Sequence, residues 1–190
     1  MEDIKRFEHE GLTVRIQYDP NPENPREWDN LGTMVFFHKR RNVGDKHTFT
    51  VEELREYVKR DDVIALPVYA YDHSCFRLST TRNYPFNCQW DSGQLGYICI
   101  EREKALKEFG KKRLTAALHR KVEDGLRSEV AVYDKYLNGE FVGFVIENAE
   151  GEHLDSCWGF DALDYCEEQA KESAERIAAS AKEAERLCAE

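Results

Sequence analysis

The sequence predicts an α+β fold, a mainly antiparallel sheet covered by helices and closed by a long acidic C-terminal helix. Leu12, Val14, Ile16 and Tyr18 alternate with polar residues, which is the two-residue period of a half-buried strand. Leu118, Val122, Leu126, Val130, Tyr133 and Leu137 recur at helical spacing, marking a helix with one apolar face. The elements run strand pair, helix, several strands, helices, hairpin, helix, an order that suits antiparallel strands with helices on one side.

Leu12–Tyr18 is the first predicted strand. Asp19–Asn30 holds Pro20, Pro22 and Pro25, which forbid helix and sheet interior alike, so this is an extended loop leading into a strand at Thr33–His38. Lys39-Arg40-Arg41 reads as a solvated strand end, or as a contact for an acidic partner or the acidic tail. Thr50 with Glu53 has the form of a capping box and starts a helix over Val51–Lys59. Val63–Tyr71 is a nearly unbroken apolar run, predicting a strand buried on both faces, with Pro67 marking an edge position or a bulge. A turn at Asp72–Ser74 leads to a partner strand, Phe76–Thr80. Thr81–Asp91 is a loop and Gly96–Ile100 the next strand. Helices follow at Glu103–Phe109 and Thr115–Tyr136, the second stopped by Asn138-Gly139. Glu140–Glu147 and Glu152–Trp158 form a hairpin around Asn148–Gly151, and a helix rich in Ala, Glu and Lys runs from Asp161 to Cys188. The expected organisation is one α+β domain over residues 1–160, with the acidic helix of 161–190 packed on it or extending from it.

A chain of 190 residues carries a core large enough to need no disulfide staples. Its apolar runs are too short to span a bilayer, and Met1–Arg6 lacks the apolar stretch of a signal peptide. Six cysteines without a close pair point away from a zinc ribbon or a disulfide framework. Cys75, Cys99 and Cys157 lie among apolar residues and read as small buried hydrophobes. A cytoplasmic protein is expected. The formal charge of −10 is uneven: residues 140–190 hold 14 Asp+Glu against 4 Lys+Arg, which is the whole excess. That balance speaks against direct nucleic-acid binding through the tail, since phosphate binding needs clustered Lys and Arg.

The central stretch, Tyr71–Cys75 and Trp90–Ile100, gathers most of the chemistry-bearing residues. His73 and Cys75 with Asp91 would make a Cys-His-Asp arrangement for nucleophilic attack, if the base meets the thiol in space. The plainer reading is a turn histidine and a core cysteine. His73, Cys75 and Cys88 lack the two close pairs of structural zinc, and the acidic loop from Asp19 to Asp29 lacks a calcium-loop pattern, so no metal and no cofactor is expected. Trp28, Trp90 and Trp158 each lie near an Asp, which suggests that Asp caps a turn while Trp anchors it to the core. The same residues also allow a ligand pocket built from Trp90, Asp91, Gln94, Asp155 and Trp158.

In the terminal helix Leu163, Cys166, Ala170, Ala174, Ile177, Ala181, Ala184 and Cys188 form a narrow stripe of mostly small residues, which permits close packing against a second copy. Beside it Asp161, Asp164, Glu168, Glu172 and Glu175 form an acidic ridge. Carboxylates one turn apart lie about 5–6 Å from each other, near the phosphate spacing of a nucleic-acid strand. Such a ridge can occupy the basic groove of a nucleic-acid-binding protein.

Trp28–Met34, Tyr71–Ser74, Trp90–Ile98, Ser128–Val130 with Tyr133–Leu137, and Asp155–Phe160 together resemble a family of small proteins encoded by bacteriophages and mobile elements. The likeness spans roughly residues 12–160. It implies no catalytic residues. It implies instead an accessory protein, and with the charge pattern it points to a non-enzymatic inhibitor of a host defence complex, a CRISPR effector or restriction system, acting in the host cytoplasm. A structural or regulatory phage protein acting as a homodimer is the alternative, and a thiol-dependent enzyme using Cys75 and His73 the second.

Overall fold

The computed structural model describes residues 2–83 and 85–188, without the side chains of Glu185 and Cys188. In chain order it has strands β1 (Asp3–His9), β2 (Leu12–Tyr18) and β3 (Thr33–Phe36), helix α1 (Val51–Tyr57), strands β4 (Val63–Asp72), β5 (Phe76–Ser79) and β6 (Ser92–Glu101), helices α2 (Arg102–Glu108) and α3 (Ala116–Leu137), strands β7 (Val142–Glu147) and β8 (His153–Phe160), and helix α4 (Leu163–Cys188). The fold is α+β and every strand pairing is antiparallel. The strands form two four-stranded sheets, and the chain contacts divide it into residues 1–23 with 139–190, and residues 24–138. That division falls elsewhere than at residue 160.

The first unit pairs its strands in the order β1-β2-β7-β8. The edge strand β1 went unpredicted because Lys5, Arg6 and Glu8 interrupt its only apolar residues, Ile4 and Phe7. Charges of that kind protect a sheet edge from further pairing. Glu10 and Gly11, both at positive φ, close the β1–β2 hairpin. One sheet face presents Val14, Ile16, Phe144 and Ile146 to Cys166, Ala170 and Ala174 of α4. On β2, Arg15 pairs with Asp3 and with Glu147, a charge ladder running across three strands. Gly143 is glycine because a Cβ there would collide with the ring of Trp158.

The second unit orders its strands β3-β6-β4-β5. Leu118, Val122, Leu126, Val130 and Tyr133 of α3 bury against Met34, Leu66, Val68 and Ile98, as the helical spacing predicts. The Thr50–Glu53 capping box is present in full at the start of α1. β4 departs from expectation: Ile64, Leu66, Val68 and Ala70 are buried, while the alternating Val63, Ala65, Pro67 and Tyr69 are half-buried. Its second face is covered in part by the cluster around Leu54 of α1, which reaches Val63 and Ala65. β5 joins β4 only from Tyr69 onward, next to a bulge at Val68/Tyr69, so Pro67 has no β5 residue opposite it. β6 begins at Ser92, four residues ahead of the strand expected from Gly96.

Among the described residues five carboxylates sit below their ordinary values, Asp3, Glu53, Asp62, Asp72 and Glu167, and three of them are tied to cations from other elements. Hydrogen bonds from Arg15 and Gln17 lower Asp3, a hydrogen bond from Arg41 lowers Asp72, and bonds from Lys171 and Lys5 lower Glu167. Each contributes stability present above the unfolded value, 3.8 for Asp and 4.5 for Glu, and lost as pH falls through the lower folded value. Thermal melts between about pH 6 and about pH 3 are therefore expected to lose Tm steeply over the last unit and a half. Asp72→Asn should start lower and decline less; a variant that declines as steeply as the parent contradicts the assignment.

Candidate functional sites

The first unit is the acidic one. Its two segments carry 20 Asp+Glu against 7 Lys+Arg, a net of −13, whereas residues 24–138 carry 17 against 20, a net of +3. Cys166, Ala170 and Ala174 are fully buried and Ala178 nearly so, which fixes one side of α4 on the sheet. The predicted stripe ends there: Leu163, Ala181 and Ala184 are exposed, and the Cys188 side chain lies outside the described residues. The ridge faces outward. Asp164, Glu168, Glu172 and Glu175 are exposed, and Asp161, just before the helix, is half-buried. Glu175 meets His9 Nε2 at 3.0 Å and Glu172 accepts from Gln169 at 3.0 Å, while Asp164 and Glu168 have no cationic partner among the described residues. Lys5 and Lys171 both go to Glu167, a half-buried residue on the flank of the ridge. The charge ridge thus keeps most of its field while its backbone is held by packing.

In the second unit the central stretch comes together only in part. His73 Nδ1 lies 3.3 Å from Asp91 Oδ1, and Cys88 Sγ lies 3.8 Å from Asp91 Oδ2. The carboxylate therefore stands between imidazole and sulfur, where a nucleophile–base pair needs the imidazole next to the sulfur. Cys75 is exposed, and its thiol has no hydrogen-bond partner among the described residues. The expectation that it is a buried hydrophobe fails, and it fails for Cys157 too, which is exposed on β8. Cys75 lies in the bend between β4 and β5, and Cys157 lies on β8, the edge strand of its sheet. Cys99 and Cys166 are buried, and burial pushes their thiols up to about 11 and about 12, so neither is a thiolate at neutral pH.

Trp90, Asp91 and Gln94 line one cavity of about 260 Å³ with His38, Arg40 and Asp72. Asp155 and Trp158 belong to the first unit, where Asp155 accepts from Ser173 of α4 at 2.5 Å. Arg40 and Arg41 turn to Asp72 at 3.0 Å each, with His38 at 3.4 Å, so the basic cluster meets a carboxylate of its own unit. The tryptophan anchors are corrected as well. Trp90 is 84% exposed and Trp28 44%, so neither anchors its turn in the core, and the loop at residues 24–32 is held by an arginine instead.

That arginine is Arg26, with a side chain 5% exposed. Its Nε and Nη2 donate to the two oxygens of Asp45, at 2.9 and 2.7 Å. Nη1 donates to Glu129 and Asn30, and Nη2 also to the Gly32 carbonyl. Glu129 of α3 accepts from the amides of Leu31 and Gly32, and Asp45 from that of Met34. No local signature marks such a site, since its members stand 19 and 103 positions apart.

Among the described residues no three His, Cys, Asp or Glu converge as a metal site, and no helix is long and apolar enough to cross a membrane. No protein-family model, curated protein or solved structure matches the chain.

Proposed function

We propose that the protein is a non-enzymatic binding protein whose acidic α4 face takes the place of nucleic acid on a basic surface of a protein partner. The single observation behind this reading is the outward row Asp164, Glu168, Glu172 and Glu175, carried by a helix whose opposite side is packed down. Residues one turn apart present their carboxylates about 5–6 Å from each other, and a rigid helix does not have to lose backbone entropy on binding. The surrounding unit, at −13, adds long-range attraction for a basic target and repels nucleic acid itself. The resemblance to phage and mobile-element proteins directs the choice of target to a host defence complex, a CRISPR effector or a restriction enzyme, whose DNA groove must be basic.

The test is a competition between the protein and DNA for such a complex. The protein is expected to displace DNA, with affinity falling as salt is raised because the pairs are screened. Reversing Glu168, Glu172 and Glu175 to lysine should weaken binding by roughly 100-fold, the scale of a few lost charge pairs. Reversing Glu2, Glu23 and Glu150, three exposed residues of the same unit, changes the net charge equally and should cost under about tenfold. Equal losses from both triples would mean that net charge alone acts. No loss from the first triple removes α4 as the binding face.

A further inference from the structure

One cavity of the second unit joins an apolar lining to a cation held in place. It has a volume of about 240 Å³ and takes its lining from β3, β6, α1, α2 and the loops before β3 and α1. Thr33 stands opposite Cys99 in the β3–β6 register, so Thr33, Val35 and Cys99 share the sheet face that the cavity covers. Val35 and Cys99 are buried. Phe49 and Tyr57 add two aromatic rings, 5.2 Å apart and tilted by 49°. Burial pushes the Tyr57 hydroxyl up to about 12 and the Cys99 thiol up to about 11, so neither brings a charge to the lining at neutral pH. A dry apolar cavity of about 150 Å³ already holds a benzene ring, so this one has room for a single ring with a short substituent.

The polar groups of the lining decide what that substituent is. Lys104 donates to the carbonyls of Asn30 and Leu31 at 3.0 and 2.9 Å. Leu31 lines the same cavity, so its carbonyl fixes the ammonium beside it. An ammonium has three N–H donors, and the third has no acceptor and no carboxylate among the described residues. The Thr33 hydroxyl is exposed and also lacks a partner among the described residues. Glu101, the one carboxylate of the lining, is engaged with α1 and the residues after it: it accepts from the Tyr57 hydroxyl at 3.2 Å and faces Arg60 at 3.9 Å. The cation without a counter-charge calls for an anionic group, and Glu101 nearby disfavours a second negative charge on it. We propose that this cavity binds a small aromatic monocarboxylate of the benzoate class, its ring against Val35, Phe49 and Tyr57 and its carboxylate on Lys104 and Thr33.

Calorimetric titration of the full chain with benzoate, benzyl alcohol and acetate tests it. Benzoate is expected to bind saturably at one site, about tenfold more tightly than benzyl alcohol, the value of one charge-assisted hydrogen bond. Acetate has the charge without the ring and should bind at least about tenfold more weakly than benzoate. Lys104→Gln should weaken benzoate about tenfold and benzyl alcohol less than about twofold, which a general loosening of the fold would not do. Thr33→Trp, at an exposed position, should close the cavity to both aromatic probes. If that variant does not fold, the amide resonances of Val35 and Cys99 in the parent protein replace it, and should move with benzoate while those of Val14 and Ile16 stay. Overturning results are benzoate that does not saturate, acetate that binds as tightly, Lys104→Gln with an undiminished preference for benzoate over benzyl alcohol, a folded Thr33→Trp that binds as the parent does, or unmoved Val35 and Cys99 amides.

Discussion

Replacing Arg26 with methionine is expected to destabilise the second unit by about 3–5 kcal/mol, the cost of breaking a buried ion pair from one side. The guanidinium has five N–H groups and all five are used: one on Nε, two on Nη1 and two on Nη2. Methionine fills much the same volume but leaves Asp45 and Glu129 facing each other's field without a cation. Those carboxylates hold the amides of Leu31, Gly32 and Met34, so the loop before β3 and the start of β3 lose their tie to α3. Lysine keeps the charge and loses the planar fork, so Arg26→Lys should recover only part of the stability. Denaturant unfolding measures both, and the double variant Arg26→Met with Glu129→Gln should cost less than the sum of the singles, because the second change removes an orphaned charge. A loss below about 1 kcal/mol for Arg26→Met would show that water replaces the guanidinium and that the network is not a structural centre.

The contrast between Arg26 and the helices explains what could be read from the sequence. β2 was found to the residue, since alternation is written in seven consecutive positions. The capping box, the buried face of α3 and the β7–β8 hairpin were equally local. The two-sheet arrangement was not, because β2 pairs with β7 more than 120 positions later, and β6 collects both β3 and β4. Trp28 and Trp90 misled because aromatic residues near turns are more often anchors than exposed rings; around Trp28 the anchoring falls to an ionic network whose members have no spacing in common. His73 and Asp91 do meet, as the sequence suggested, but Asp91 also takes the neighbouring thiol, and the expected order of groups is lost.

The acidic ridge was legible for the same reason as α3. Helical periodicity sorts residues into faces, and Cys166, Ala170 and Ala174 turned out inward while Glu168, Glu172 and Glu175 turned out outward. What periodicity could not supply was the length of sheet available. β2 and β7 are seven and six residues long, and the helix runs on for 26, so Ala181 and Ala184 have no sheet to cover and are exposed. The unit-level charge was also hidden, because the acidic residues of 1–23 join those of 139–190 only in the fold.

Because small residues set how close α4 lies to its sheet, enlarging them should lift the helix and its carboxylates together. Ala170 and Ala174 are both fully buried against Val14, Ile16, Phe144 and Ile146, which leaves no room for an isobutyl group. Ala170→Leu and Ala174→Leu are each expected to cost roughly 1–3 kcal/mol through overpacking, and the pair roughly 2–6 kcal/mol if the sites act independently. Helix displacement would also pull Ser173 from Asp155 and Lys5 from Glu167, contacts that fix the rotation of α4 about its own axis. The double variant keeps every carboxylate of the ridge, so the proposed function makes a second demand of it. Binding to the basic partner should fall at least about tenfold, and α4 amides should exchange faster with solvent, since a loosened helix presents its charges without a fixed spacing. Ser180→Leu, on the exposed part of the same helix, should change neither quantity. If the double variant exchanges faster yet binds as tightly as the parent, the partner reads charge density and not the geometry of the helix.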